Sequence, residues 1–426
     1  MILFHSFIRI FVRVKAPENT TMAKYKEYGY DIQDGVAIIP EWETEIKKEA
    51  FCFCKELTSI KFPLWIKKIE TEAFRGCENL TDITLPEWVE EIGKGAFCSC
   101  KNLKSITLPR WVKKIGEEAF RDCSSLTNIS VSKDNKVYDS REDCNAIIHT
   151  ESNTLISGCK NTIIPPSVTE IEDLAFCNCS SLTNIAIPPS VTKIGMGAFY
   201  SCSSLTNISI PPSMTEIEEY AFWGCSSLTS ITVSKNNKVY DSREDCNAII
   251  HTESNTLISG CKNTIIPPSV TEIGDEAFSR CSSLTNIAIP PSVTKIGMGA
   301  FYSCSSLTNI TIPPSVTKIG DEAFSDCSSL TSITIPPSVT KIGYSAFSRC
   351  SSLTSISIPP SVTEIGVESF DGCSSLTSIT IPPSVTKIGD WTFSDCSSLT
   401  EVRIPKGCSV DDYAFKDCPN VQIIRY

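Results

Sequence analysis

Cysteine is the residue type best placed to do chemistry in this chain, with 22 Cys among 426 residues against only three His. Fourteen of the cysteines close a Phe-x-x-Cys pair that recurs every 23 residues: Cys54, Cys77, Cys100 and Cys123, then Cys179, Cys202 and Cys225, then Cys281, Cys304, Cys327, Cys350, Cys373 and Cys396, with Cys418 one residue early. Side chains repeated at one step along a stack point in parallel, which is poor geometry for a disulfide. These thiols are therefore expected to be buried and reduced, packing as small hydrophobes. The pairs Cys52/Cys54, Cys98/Cys100 and Cys177/Cys179 have no histidine or C-x-x-C partner at zinc spacing, so neither a metal nor a cofactor is expected. Four cysteines stand apart. If His149 pairs with Thr154 in a hairpin, Cys144 falls opposite Cys159, and Cys246 opposite Cys261 in a second copy. Cross-strand disulfides and free thiols are both open there. With His5, His149 and His251 alone, and no G-x-S-x-G, H-E-x-x-H, P-loop or G-x-G-x-x-G after a strand, the chain is not expected to be an enzyme.

Two further sets of residues could recognise rather than react. Trp42, Trp65, Trp88 and Trp111 recur at 23 residues, in the place where later copies carry the Ser of PPSV. They should form a stacked row, which is either a contact surface or a self-shielding one. The other set is polar. Asn128, Asn207, Asn286, Asn309, Thr311 and Thr334 fall at outward strand positions, offering hydrogen bonds in register to a protein or glycan partner. Asn128, Asn207 and Asn309 also begin N-x-S/T sequons, whose glycans would obstruct that face.

A repeated element must position all of these. One copy, Ile312 to Ile335, reads IPPSVTKIGDEAFSDCSSLTSITI. In LTSITI, Ile333 and Ile335 share one face of a strand. Pro336 and Pro337 end it, because proline cannot donate to a ladder. Val339 and Ile342 form a second apolar pair, Gly343 supplies a free backbone turn, and Ala346–Phe347 sit in a short helical turn leading to Cys350. One rung cannot bury its apolar face, whereas stacked rungs can. Two 56-residue gaps, from Cys123 to Cys179 and from Cys225 to Cys281, each hold a 33-residue insertion. Val131–Glu170 and Val233–Glu272 differ only at Asp134 versus Asn236, so a block of 102 residues has been duplicated. NAIIHTESNTLISGC within it reads as a hairpin of Asn145–Thr150 and Asn153–Ser157 that adds a strand to the sheet.

This pattern resembles the leucine-rich-repeat proteins of the BspA-like (Treponema-type) class, whose rung is C-x-x-L-x-x-I-x-L-P-x-x-L-x-x-I-G-x-x-A-F. The resemblance covers residues from about 39 to 426. It implies an α/β repeat: a curved solenoid with a parallel sheet on its concave face and short strands and helical turns on the convex side. It also implies adhesion and protein recognition, often at the surface of bacteria or protists.

The expected organisation is an N-terminal extension or cap over 1–38, charged Trp-bearing rungs over 39–122, and Ser-rich rungs over 123–426 with inserts at about 132–164 and 234–266. A net charge of −11 makes a nucleic-acid surface unexpected, and no apolar run reaches the ~18 residues that span a bilayer. Met1–Val14 reads either as an export signal, although Arg9 and Arg13 interrupt it, or as an extension ahead of a start at Met22. The compartment thus stays open between cytoplasm and cell surface. A protein-binding scaffold, a surface adhesin binding host matrix proteins or other cells, and end-to-end self-association through the final strand VQIIRY are the functional expectations.

Overall fold

The computed structural model describes residues 24–426, so the expectations for Met1–Val14 and Met22 lie outside the described residues. The chain divides into two compact units, Met1–Thr162 and Ile163–Tyr426. Each is a β-solenoid with two parallel sheets per stack of rungs.

In the first unit, Val36–Ile38 pairs with Ser59–Lys61, and Ser105–Leu108 with Asn128–Val131, each at a register of 23 residues. These are the strands of the L-x-x-I-x-I motif. The second sheet is built from two-residue strands, Glu45–Ile46, Lys68–Ile69, Glu91–Ile92 and Lys114–Ile115. What the sequence offered as a second apolar pair is therefore a strand as well. The second unit repeats both sheets, for example Asn309–Thr311, Ser332–Thr334 and Ser355–Ser357 in one, and Lys295–Ile296 through Glu364–Ile365 in the other. Tyr30 and Tyr25 stack at 5.7 and 5.8 Å on Phe51, continuing the first unit's aromatic ladder ahead of its first Phe.

The third side of each rung is a corner, and it holds no α-helix. Ser345 and Arg349 flank Ala346–Phe347 with φ of 48° and 55°, and Glu322 and Asp326 do the same one rung earlier. Left-handed residues cannot continue a right-handed helix. Among the described residues the helical segments are three 3₁₀ turns, Lys24–Lys26, Arg141–Asp143 and Arg243–Asp245. Gly343 is needed for a different reason from the one expected. Its φ is not positive. A Cβ there would stand 2.6 Å from the backbone of Gly320 in the preceding rung, so close approach excludes a side chain.

The core is a set of ladders. Consecutive Phe rings lie 5.1–5.6 Å apart with planes within 9° of parallel, in the first unit from Phe51 to Phe120 and in the second from Phe176 to Phe222 and Phe278 to Phe415. Backbone bonds run along the same corner, Phe324 N–H to Ala346 O at 2.9 Å and Phe51 N–H to Ala73 O at 2.8 Å.

Candidate functional site

The Trp row forms on the turn that joins the two sheets. Trp65 and Trp88 lie 6.3 Å apart, and Trp88 and Trp111 5.9 Å apart and nearly parallel. The Arg110 guanidinium lies 5.1 Å from the Trp111 ring centroid. Exposure falls along the row, from 80% at Trp42 through 58% and 43% to 38% at Trp111, and among the described residues Trp42 makes no ring contact with Trp65, so the stack proper is three indoles. Leu64, also exposed, extends the apolar surface beside Trp65. Proline sets the stagger, since Pro40, Pro63, Pro86 and Pro109 end each strand two residues before the indole.

The polar set is exposed at all six positions, on strands or strand-like segments of the first sheet. Asn309 pairs in register with Ser332, and Thr311 with Thr334, while Ala288 bridges Thr311 and so sets Asn286 beside Asn309. Asn207 donates to the Asn184 carboxamide at 2.6 Å, so part of its capacity is used along the stack. Asn128 lies apart from these, on a strand of the first unit.

The insert register departs from expectation. His149 does pair with Thr154, but a bulge between Ile147 and Ile148 shifts the remainder, so Ala146 faces Gly158 and Cys144 is one residue out of register with Cys159. The second copy is bulged identically, displacing Cys246 from Cys261. The proposed disulfide positions are thus not opposed, and all four cysteines are buried free thiols. Cys159 donates to Asn145 O at 3.4 Å and Cys261 to Asn247 O at 3.5 Å. Each insert also carries a third, antiparallel strand, Tyr138–Asp139 or Tyr240–Asp241. Its tyrosine hydroxyl accepts from the Ile115 or Ile217 backbone N–H, closing a site the next short strand would otherwise fill.

The ladder cysteines are buried as expected and do something more. Cys77 Sγ donates to Phe51 O at 3.0 Å, and the same bond recurs from Cys100, Cys123, Cys304, Cys327, Cys350, Cys373 and Cys396 at 3.1–3.2 Å. Burial pushes the Cys327 and Cys373 thiols up to about 12, so each keeps its proton and can donate. Among the described residues no group of three or more His, Cys, Asp or Glu gathers at metal-binding distance. Nor is any helix there long and apolar enough to cross a membrane.

Residues not singled out by sequence gather beside the second insert. Tyr220, Trp223, Glu276 and Ser279 line a cavity of about 260 Å³ within the second unit. Only the 102-residue duplication could have flagged them, because the equivalent positions of the first copy are Glu118, Arg121, Leu174 and Cys177.

A BspA-type leucine-rich-repeat family profile matches residues 44–146, 155–259, 254–373 and 294–422. Among solved structures, a leucine-rich-repeat protein of Eubacterium ventriosum is 23% identical over 93% of each chain, with a TM-score of 0.60. A leucine-rich cell-surface protein of Faecalibacterium prausnitzii is 25% identical over 93% of this chain and 92% of its own, with a TM-score of 0.46. The Treponema pallidum leucine-rich-repeat protein is 31% identical over 42% of this chain and 87% of its own, with a TM-score of 0.35. No curated protein matches the sequence.

Proposed function

The chain belongs to the BspA-type leucine-rich-repeat family, and from that premise we propose that it is a non-catalytic scaffold that binds a protein partner through the Trp row. The observation that carries this reading is the row itself: Trp65, Trp88 and Trp111 are stacked yet each remains more than one-third exposed. Indoles held rigid by their neighbours lose little entropy on binding, and tryptophan is over-represented among residues that dominate interfaces. Arg110 over Trp111, and Glu87 paired with it at 3.7 Å, supply the polar rim. The Asn/Ser/Thr rows of the first sheet are a second contact surface, for protein or glycan.

The test uses the Trp65→Ser/Trp88→Ser double variant. A partner captured from the source organism and then purified should bind this variant at least about tenfold more weakly than wild type, with cooperative thermal unfolding lowered by only a few degrees. Equal affinity sinks the reading. The family also supports a cell-surface adhesin that contacts host matrix proteins or other cells. Protease shaving of intact cells separates the two, since an internal scaffold survives it. Association through the exposed strand Gln422–Arg425 is a third reading, and a strict monomer in light scattering at high concentration removes it.

A further inference from the structure

The cavity beside the second insert has a structural cause. In an ordinary rung, the ladder cysteine comes eight positions after the isoleucine of the short strand, as from Ile342 to Cys350. In the insert, Thr256–Leu257 takes the short-strand place, pairing parallel with Glu272–Ile273, but Cys261 follows Leu257 after only four residues. Gly260 stands where Phe stands elsewhere. Its N–H donates to Ala277 O at 2.8 Å, as the Phe278 N–H donates to Ala300 O. The insert rung thus keeps its strand and its cysteine and lacks the corner between them. The corners on either side, Glu218–Cys225 and Gly274–Cys281, face each other across the gap. Trp223 reaches over it to donate from Nε1 to Glu276 Oε2 at 3.0 Å.

The walls are aromatic and acidic. Tyr220, Phe222, Trp223 and Phe278 contribute rings, and Glu218, Glu219, Glu272, Asp275 and Glu276 contribute carboxyls, with no Lys or Arg among the lining residues. Lys193 neutralises Glu218 and Lys295 neutralises Glu272. No cation pairs with Glu276 among the described residues. The charges nearest it, Glu322 and Asp275, are also acidic, and Arg280 stacks 4.1 Å from the Trp223 ring centroid. Glu276 keeps some exposure through the cavity, yet its carboxyl is so enclosed that burial pushes it up to about 8. A second feature, on the same wall, points to a polar ligand. Ser279 is 6% exposed and lines the cavity, and its hydroxyl lies beside Glu276 and favours the carboxylate, yet makes no hydrogen bond of good geometry.

We propose that this notch binds an organic cation, an ammonium or guanidinium group on an aliphatic stem, with Glu276 opposite the charge, Ser279 accepting a hydrogen bond from it, and Tyr220 and Phe222 against the stem. The volume is below the ~300–1,000 Å³ of drug-sized sites, and suits one lysine- or arginine-like side chain or a small free amine. Binding is linked to a proton. Cation and carboxylate stabilise each other, so the ligand drives Glu276 to ionise, and affinity rises with pH until Glu276 is ionised without the ligand. The amine itself, near pKa 10.4, stays charged throughout that range.

Isothermal titration calorimetry of the full chain with n-butylammonium provides the test. Affinity should rise by up to about tenfold per pH unit between pH 6.5 and about 8 and then level off, with proton release visible as a buffer-dependent heat. Glu276→Gln should abolish the pH dependence and weaken binding at pH 8.5 by more than about tenfold, while Glu276→Asp, which keeps a carboxylate, should preserve both. The Trp65→Ser/Trp88→Ser chain should bind the probe as wild type does, so this result is separable from the fate of the Trp row. N-acetylnorleucine amide, which carries no charge, serves as control beside a short N-acetylated lysine peptide. A peptide that binds more tightly than n-butylammonium assigns the notch to a side chain of a polypeptide, and equal binding to a free amine. No heat at about 10 mM probe, equal binding of N-acetylnorleucine amide, or wild-type binding by Glu276→Gln overturns the proposal.

Discussion

Two regions of this molecule solve the same problem at the same rung position with opposite surfaces. In the second unit the residue after the proline pair is Ser, and in Ser213, Ser315, Ser338 and Ser361 its hydroxyl donates back to a Val carbonyl of the preceding rung at 2.6–2.8 Å. In these four rungs the side chain is spent on holding the stack, whereas the buried Ser190 and Ser292 hydroxyls make no such bond. In the first unit the same place holds Trp, and rung is tied to rung by indole faces that remain partly in solvent. A hydroxyl ladder is local and leaves nothing for a partner, whereas a ring ladder cannot hide its edges. Function in a repeat of this kind should therefore be sought where a rung departs from its neighbours. The Trp row is one such departure and the missing corner beside Gly260 is another.

The comparison assumes that the two regions share one interior. Phe74→Ala in the first unit and Phe324→Ala in the second should each cost about 3–5 kcal/mol, measured by denaturant unfolding, because each ring is fully buried between two others. A cost under about 1 kcal/mol in either unit would show that its ladder is not the core. Below this comes the thiol ladder. Cys100→Ala and Cys327→Ala should each lose about 1–2 kcal/mol, and the serine variants, which keep a donor to Phe74 O and Phe301 O, should recover part of it. No recovery would return these cysteines to simple space-filling.

How much of this was legible in the sequence differs by feature. The 23-residue step gave the Phe and Cys ladders directly, because repetition in a stack maps onto contact. The Trp row was legible for the same reason. Short strands on the second side were implied by the family resemblance, but the one at Lys341–Ile342 could not be placed from its own residues, since two residues carry no alternation to recognise. The corners were misread as helical because Ala-Phe looks helical locally, while left-handed φ at Ser345 and Arg349 is imposed by the stack. The bulge that parts Cys144 from Cys159 has no compositional mark. Glu276 was invisible for a further reason: its environment depends on four residues that the insert omits, and an omission has no letter.

At the contrasted position itself the expected effects are smaller and differ in kind. Trp88→Ser removes two stacked contacts and should cost about 0.5–1.5 kcal/mol. Ser338→Ala removes one bond to Val316 O and should cost about as much, near 1 kcal/mol. The distinguishing readout is partner affinity, which should fall for Trp88→Ser and stay level for Ser338→Ala. If both variants bind alike, the contrast between the two regions is structural only.

The smallest effect concerns charge, in which the first unit is the richer. There Lys101 bonds Glu78 at 2.8 Å across one rung step, as Lys113 bonds Glu90 and Lys94 bonds Glu117. The hydrogen bond to Lys101 holds the Glu78 carboxyl below its usual value, and the bond to Glu78 raises Lys101. A carboxyl depressed by folding contributes stability above its unfolded pKa and loses it as pH falls through the folded value. A raised lysine contributes below its unfolded pKa and loses it as pH climbs through the folded one. The pair thus acts on the plateau between about pH 5 and pH 10. Both side chains are about half exposed, so solvent screens them, and a Glu78→Ala/Lys101→Ala double-mutant cycle should give a coupling of only about 0.2–0.5 kcal/mol. That coupling should vanish in about 1 M salt and below about pH 4. A coupling that persists in high salt would mean that the charged rungs of the first unit are held by something other than exposed ion pairs, and the ring ladder beside them is the first place to look.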